Sequence, residues 1–329
     1  MVRAFDWRDG ERLIRFGRGV AAEPVAALGG PGYLLLTTPR AAAALPAAVV
    51  AAAAVHHVPA GGVPELAAAV LDTNWSPEAR IVALGGGRVI DTAKAVAAAT
   101  GARALAIPTT LSGAELTRVH RHATGVDEDT PRVRCDVVLC DPELAASQPG
   151  EELAASALNA LGHAVEAPCT VAANPVATLA SHETARLLVA AFAPPEPDRE
   201  ALALGALLAG YALGVTGYGL HHVLAQTLVR CGLAGHGQAN AVLLPHTIAA
   251  LARRCPEQLA TLADVLGEHP AAAAARLCEL TGVTRLRELG LDVQALEQCV
   301  EAAAARPQLD ATPPPPDRAE LRAIYSAAL

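Results

Sequence analysis

Apolar residues in the first half of the chain come in short runs that stop at glycine, threonine or proline. Residues 80–84 (RIVAL) are such a run, β-branched and uninterrupted, as expected of a strand buried on both faces of a parallel sheet. Residues 32–39 (GYLLLTTP) and 104–117 (ALAIPTTLSGAELT) begin in the same way and end in hydroxyl-rich turns. Between the strands, residues 88–100 carry helix formers and no proline, and the alanine-rich stretch 41–54 reads as a crossover helix covering the sheet. Near the N-terminus, Asp9 and Gly10 predict a hairpin turn. The pattern changes near residue 148. Beyond it, helices are expected over 151–166, 172–192, 198–230 and 239–267, with a loop at 193–198 and a proline-rich spacer at 313–317 before a last helix. The chain therefore divides into an α/β domain over 1–148, a parallel sheet flanked by helices, and an all-helical domain over 149–329. No fixed-period repeat is visible.

One stretch meets the length of a membrane span: residues 201–220 contain no charge. They are rich in Ala and Gly and run directly into His221 and His222, which fits the buried central helix of a helical domain instead.

The strand-to-helix turn at Gly85, Gly86 and Gly87 is the first candidate site. Glycines permit close backbone approach and positive φ, and a helix N-terminus offers unpaired N–H groups and the positive end of a dipole. Together they make a seat for a phosphate or pyrophosphate, although the same turn would serve as a plain tight connection. Asp91 and Lys94, three apart, share a face of the following helix. Lys94 is the only lysine in a chain whose other basic residues are all arginine, which marks a place for a compact ammonium rather than a guanidinium. Thr109 and Thr110 follow one strand and Thr37 and Pro39 another. Ligands of open α/β sheets bind beyond the carboxyl ends of strands. These residues thus outline one nucleotide crevice. No acidic residue follows Thr38 to read a ribose hydroxyl, and Arg40 is placed to meet a 2′-phosphate.

The second domain carries the histidines. Asn159 and His163 are four apart on one helix face, with Glu166 three further on. His222 and His236 are fourteen apart, which requires a helix break near Gly232 and Gly235.

The segments GGGRVIDTAK, IPTTLSGAE and CDPEL, with RFGRGV near the start and PPPPDRAELRAIY near the end, resemble the iron-containing alcohol dehydrogenase superfamily, and within it the maleylacetate reductase branch. Arg88 stands where that pattern usually has Ser. The resemblance implies a dehydroquinate synthase-like fold, a dinucleotide-binding domain followed by a helical one, and a homodimer. It also implies a metal ligand set carried over by position onto Asn159, His163, His222 and His236. Metal-dependent members have Asp where this chain has Asn159. Three neutral imidazoles and an amide leave the charge of Fe²⁺ or Zn²⁺ uncompensated, so no bound metal is expected. The maleylacetate reductases share the Asn, whereas Leu111, Ala114 and Gln226 depart from their Tyr, Ser and His. The implied activity is hydride transfer from NADH or NADPH to a small substrate between the domains, at His163, His222 and His236, with Arg118, Arg121, Arg132 and Arg134 as candidate partners for a dicarboxylate. Two rivals stay open: a divergent enzyme of the superfamily acting on an alcohol or aldehyde, as in tailoring of a specialised metabolite, and a nucleotide-binding protein without turnover.

Composition agrees with this and narrows it. The chain has 329 residues, 52% of them hydrophobic but only 3% aromatic, so its core is built of Ala, Leu and Val. A net charge of −8 without a basic stripe argues against nucleic acid. Seven scattered cysteines without a CxxC pair, and an N-terminus lacking an apolar signal region, point to the cytoplasm.

Overall fold

Each continuous apolar run becomes a strand in the middle of one sheet. The computed structural model describes residues 3–73 and 80–329, and the chain divides into two units, Met1–Ser147 and Gln148–Leu329. In the first unit the elements are β1 (Phe5–Asp9), β2 (Arg12–Phe16), α1 (Pro24–Ala27), β3 (Tyr33–Thr37), α2 (Pro39–Ala44), α3 (Pro46–Val50), β4 (Ala52–His57), α4 (Val63–Leu71), β5 (Ile81–Gly85), α5 (Gly87–Thr100), β6 (Ala104–Pro108), β7 (Val137–Cys140) and α6 (Pro142–Ala145). The sheet order is β1-β2-β7-β6-β5-β3-β4, and only the β1–β2 hairpin is antiparallel. Every residue of β3, β5 and β6 is buried, as a sheet covered on both faces requires. Tyr33, Leu35, Val82, Leu84, Leu105 and Ile107 form the centre of one core cluster.

The order of β3, β4 and β5 positions the site. The chain leaves β3 for β4 at the edge, then returns to place β5 on the other side of β3. This reversal is a topological switch point, where ligands of open α/β sheets bind. The single crossover helix expected over 41–54 is not formed. Leu45, preceding Pro46, is driven out of helical geometry (φ −139°, ψ 69°), which separates α2 from α3. Residues 52–57 become the edge strand β4, whose mostly exposed side chains leave no alternation to read.

The second unit is helical: α7 (Gly150–Glu166), α8 (Pro175–Ala190), α9 (Arg199–Thr216), α10 (Leu220–Arg230), α11 (His236–Arg254), α12 (Pro256–Leu266), α13 (Pro270–Glu279), α14 (Val293–Ala304) and α15 (Arg318–Ala328). Two expected long helices are broken. The stretch 198–230 bends by 99° between α9 and α10. Gly217 ends α9 at φ +69°, and a Cβ on Gly219 would overlap the Thr312 side chain. The stretch 239–267 is cut at Cys255, because Pro256 opens α12 and cannot continue α11. The break between His222 and His236 occurs where the glycines placed it, with Gly232 at φ +73°. Among the described residues no single helix is long and apolar enough to cross a membrane, and α9, which includes most of the uncharged stretch, is largely buried.

Candidate active site

In the first unit, three of the predicted turns lie side by side. Thr37 pairs in register with Leu84, and Gly85 with Pro108, so the carboxyl ends of β3, β5 and β6 are neighbours. The Thr109 N–H donates to the Gly85 carbonyl at 2.9 Å, and the Thr37 hydroxyl donates to the Leu84 carbonyl at 2.9 Å. Thr38 caps α2 through Ala41 N–H, with Pro39 at its first turn. Arg40 donates to Ser147 Oγ and to Thr109, so its guanidinium is engaged on the threonine turn.

The glycines are required for space, not for backbone handedness. Gly86 is extended (φ −83°, ψ −173°), and none of the three has positive φ, contrary to the sequence expectation. A Cβ on Gly86 would come within 2.8 Å of Thr110 Cγ2, and one on Gly87 within 3.1 Å of Ser112 Oγ. The two turns therefore approach as closely as they do only because these residues lack side chains. Helix α5 begins at Gly87 with no capping side chain and no acidic residue in its first turn, which leaves its first amides and dipole to an anion. The residues fit a diphosphate.

Lys94 does something else. It is fully buried, and its Nζ donates to the carbonyls of Ala114 (2.7 Å), Val119 (2.9 Å) and Thr117 (3.2 Å) and pairs with Asp91 Oδ1 at 2.9 Å. An ammonium has three protons, and all are committed within the protein. Within the protein the Lys94–Asp91 pair thus holds the 114–119 segment. Arg12, also buried, clamps the same segment from β2 by donating to the Glu115 and Leu116 carbonyls and to Cys135 O. Arg118, Arg121 and Arg132 are exposed and Arg134 pairs with Asp9.

In the second unit the predicted histidines come together. Asn159 and His163 lie on α7, His222 on α10, and His236 at the start of α11. His236 Nε2 is 3.2 Å from Asn159 Oδ1, and Asn159 Nδ2 is 3.4 Å from His163 Nε2. The amide geometry fixes the direction: His236 donates to Asn159, which donates to His163, so His163 carries its proton on Nδ1. That Nδ1 has no partner. The rings of His163 and His222 stack at 3.9 Å and 6°. Burial, reinforced by the neighbouring imidazoles, holds His163 well below the usual histidine range and lowers His222 to about 3.

Sequence reasoning assigned no role to Glu166, although it lies three residues past His163. Its Oε2 accepts from His222 Nδ1 at 2.9 Å and its Oε1 accepts the His221 N–H at 2.7 Å. Glu166 thereby fixes the His222 tautomer and leaves Nε2 without a hydrogen-bond partner. Thr247, already donating to the Leu243 and Leu244 carbonyls, accepts from His221 Nδ1 at 2.9 Å and holds the adjacent ring. An acid one helical turn from a histidine is the signal by which Glu166 could have been found; nothing in the sequence marked Thr247.

Residues 153–329 match the Fe-containing alcohol dehydrogenase family, C-terminal, and residues 38–117 match its iron-containing alcohol dehydrogenase counterpart. The chain belongs to the iron-containing alcohol dehydrogenase family. It is 33% identical over 258 residues to the maleylacetate reductase of Rhizobium sp. (strain MTP-10005), covering 75% of this chain and 73% of that protein. It is 36% identical over 241 residues to maleylacetate reductase 2 of Cupriavidus pinatubonensis, covering 69% and 66%. The crystal structure of the Rhizobium enzyme superposes with a TM-score of 0.84, covering 100% of this chain and 99% of that one. The architecture of a mostly parallel sheet followed by helices is thus that of the family, and the chain is an oxidoreductase.

The family name implies iron, and the donor set here does not fit it. Asn159 brings no negative charge and bonds two of the would-be ligands, His163 and His236, to itself. His163 and His222 face each other ring to ring instead of aiming at one point. Among the described residues no group of three or more His, Cys, Asp or Glu side chains is arranged to hold a metal ion.

Proposed function

We propose that this chain is an NADH- or NADPH-dependent reductase of the maleylacetate reductase type that works without a bound metal. The observation that carries the reading is the neutral relay His236–Asn159–His163 beside a His222 held by Glu166. Gly85, Gly86, Gly87 and the N-terminus of α5 would hold the cofactor diphosphate, with Thr109 and Thr110 toward the nicotinamide and Thr37 and Pro39 toward the adenosine. When bound, the cofactor supplies the hydride.

The reaction of this class adds hydride to one carbon of a double bond conjugated with a ketone and a proton to the other. Charge develops on the ketone oxygen in between. His163 Nδ1–H, a buried donor with no partner in the protein, donates to that oxygen, and His236 supports it through Asn159. The proton for the second carbon comes from water and is relayed through His222 Nε2, which carries none at rest and must accept it before passing it on, with Glu166 steadying the ring. The seven free cysteines support a reducing compartment such as the cytoplasm.

The test follows NADH and NADPH absorbance with maleylacetate, simple aldehydes and alcohols, each with and without chelator. Consumption of maleylacetate that survives chelation is expected, and His222→Ala should lower kcat by roughly 10²–10⁴. Turnover of alcohols or aldehydes alone would replace this reading with that of a divergent alcohol dehydrogenase.

A further inference from the structure

Arg306 follows α14 and is only 8% exposed. Its Nη1 donates to the Val223 carbonyl at 3.1 Å, and its Nη2 donates to Gln226 Oε1 at 2.8 Å and to the Tyr218 hydroxyl at 3.3 Å. All three acceptors are neutral. Among the described residues no carboxylate pairs with it. Two other arginine side chains are comparably buried, and each has one: Arg12 has Asp9 and Arg254 has Glu320. A guanidinium cannot shed its proton in a protein, and buried charges are normally paired. Arg306 is thus a preorganised cation whose counter-ion does not come from its own unit.

Its neighbours place it at the histidine cluster. Gln226 stands one helical turn after His222 on the same face of α10. Val223 adjoins His222, and the Tyr218 ring lies edge-on to the His222 ring at 6.3 Å. Tyr218 and Gln226 are half-buried, unlike His222 itself. An amide oxygen at 226 orients the guanidinium fork without neutralising it, which a carboxylate there would do. The Nε–H and one Nη1 proton stay uncommitted and can donate to a carboxylate oxygen.

We propose that Arg306, oriented by Gln226 and Tyr218, receives a carboxylate of the substrate and sets the specificity of the site for acids over their neutral analogues. This rests on the reductase reading for the reaction, but binding can be read without turnover. The arginines at 118, 121, 132 and 134, exposed or engaged elsewhere, are then not needed for this contact.

The experiment measures binding of succinate, a saturated dicarboxylate, by calorimetry, together with KM and kcat for maleylacetate and for its neutral ester. Arg306→Gln should weaken succinate and raise KM for the acid by roughly ten- to a hundredfold, with a smaller change in kcat and little change for the ester. NADH affinity should stay as in the parent. Gln226→Glu is the second variant, in case loss of Arg306 prevents folding. It supplies an internal counter-ion, so it should raise the thermal midpoint while also weakening succinate. Succinate binding and acid-over-ester preference that survive Gln226→Glu, or Arg306→Gln in a folded protein, would overturn the proposal. Succinate binding lost with Arg306 in a protein that never reduces maleylacetate would sustain it and overturn the reductase reading alone.

Discussion

Lys94 ties three carbonyls of one irregular segment to the middle of α5. A neutral side chain of similar length leaves those carbonyls and Asp91 without their charge partner, so Lys94→Met should lower the unfolding free energy by about 3–5 kcal/mol, read from urea titrations. The sequence picked out this residue correctly as unusual, because only an ammonium projects three donors from so thin a stem. It could not show where the donors point, since their acceptors are backbone atoms, to which any residue type contributes alike. Gly86 gives a second prediction at this scale. In Gly86→Val the new side chain would displace Thr110, which a Cβ alone already approaches to 2.8 Å. NADH affinity, measured by fluorescence titration, should fall about tenfold or more as the two turns separate.

At the scale of elements, the short turn around Glu115 is gripped by Arg12 from one strand and Lys94 from one helix. Burial raises the Glu115 carboxyl to about 7, against the pull of Lys94 and Arg12. In the unfolded chain the same group titrates near 4.5. Between those values the folded state keeps a proton that the unfolded state has lost, so its contribution to stability declines as pH rises through the window and then levels off. Glu115→Gln removes the buried charge. Its thermal midpoint should exceed the parent's most above pH 7, and the difference should vanish toward pH 4.5; a constant difference would mean that Glu115 is charged throughout. Elements differ in how far their sequence announces them. Strands β3, β5 and β6 were legible because continuous burial writes a continuous apolar run. Strand β4, at the sheet edge, has no buried face to write a pattern, and the helix expected over 41–54 runs into its first three residues. The α9–α10 bend was hidden because glycine in an alanine-rich stretch marks a break no more than it marks close packing. The α11–α12 break is written in the sequence as Pro256, which cannot continue a helix. The histidine cluster was legible through the family resemblance that carries Asn159, His163, His222 and His236 over by position, whereas its support from Glu166 and Thr247 depends on which helices lie against one another.

At the scale of the whole molecule, the charge of the histidine cluster decides what it holds. Purified protein should carry far less than one Fe²⁺ or Zn²⁺ per chain by elemental analysis, and chelation should leave its activity intact. Asn159→Asp should raise metal affinity by restoring an anionic oxygen at the same helix position. Stoichiometric metal in the parent, lost together with activity on dialysis against chelator, would move the chemistry to the metal-dependent side of the family. The sheet has a different kind of consequence. Strand β2 lies between its hairpin partner β1 and β7, and it pairs with β7 through Leu13 and Val137, well over a hundred residues apart in the chain. On the ribosome the hairpin emerges before β7 and must keep one edge, with the apolar Ile14 and Phe16, unpaired until β7 has been made. Synthesis at about 5–20 residues per second leaves that edge open for several seconds. The protein is thus most exposed to wrong pairing with other chains while it is still being translated, and slowing translation between β2 and β7 would lengthen that interval.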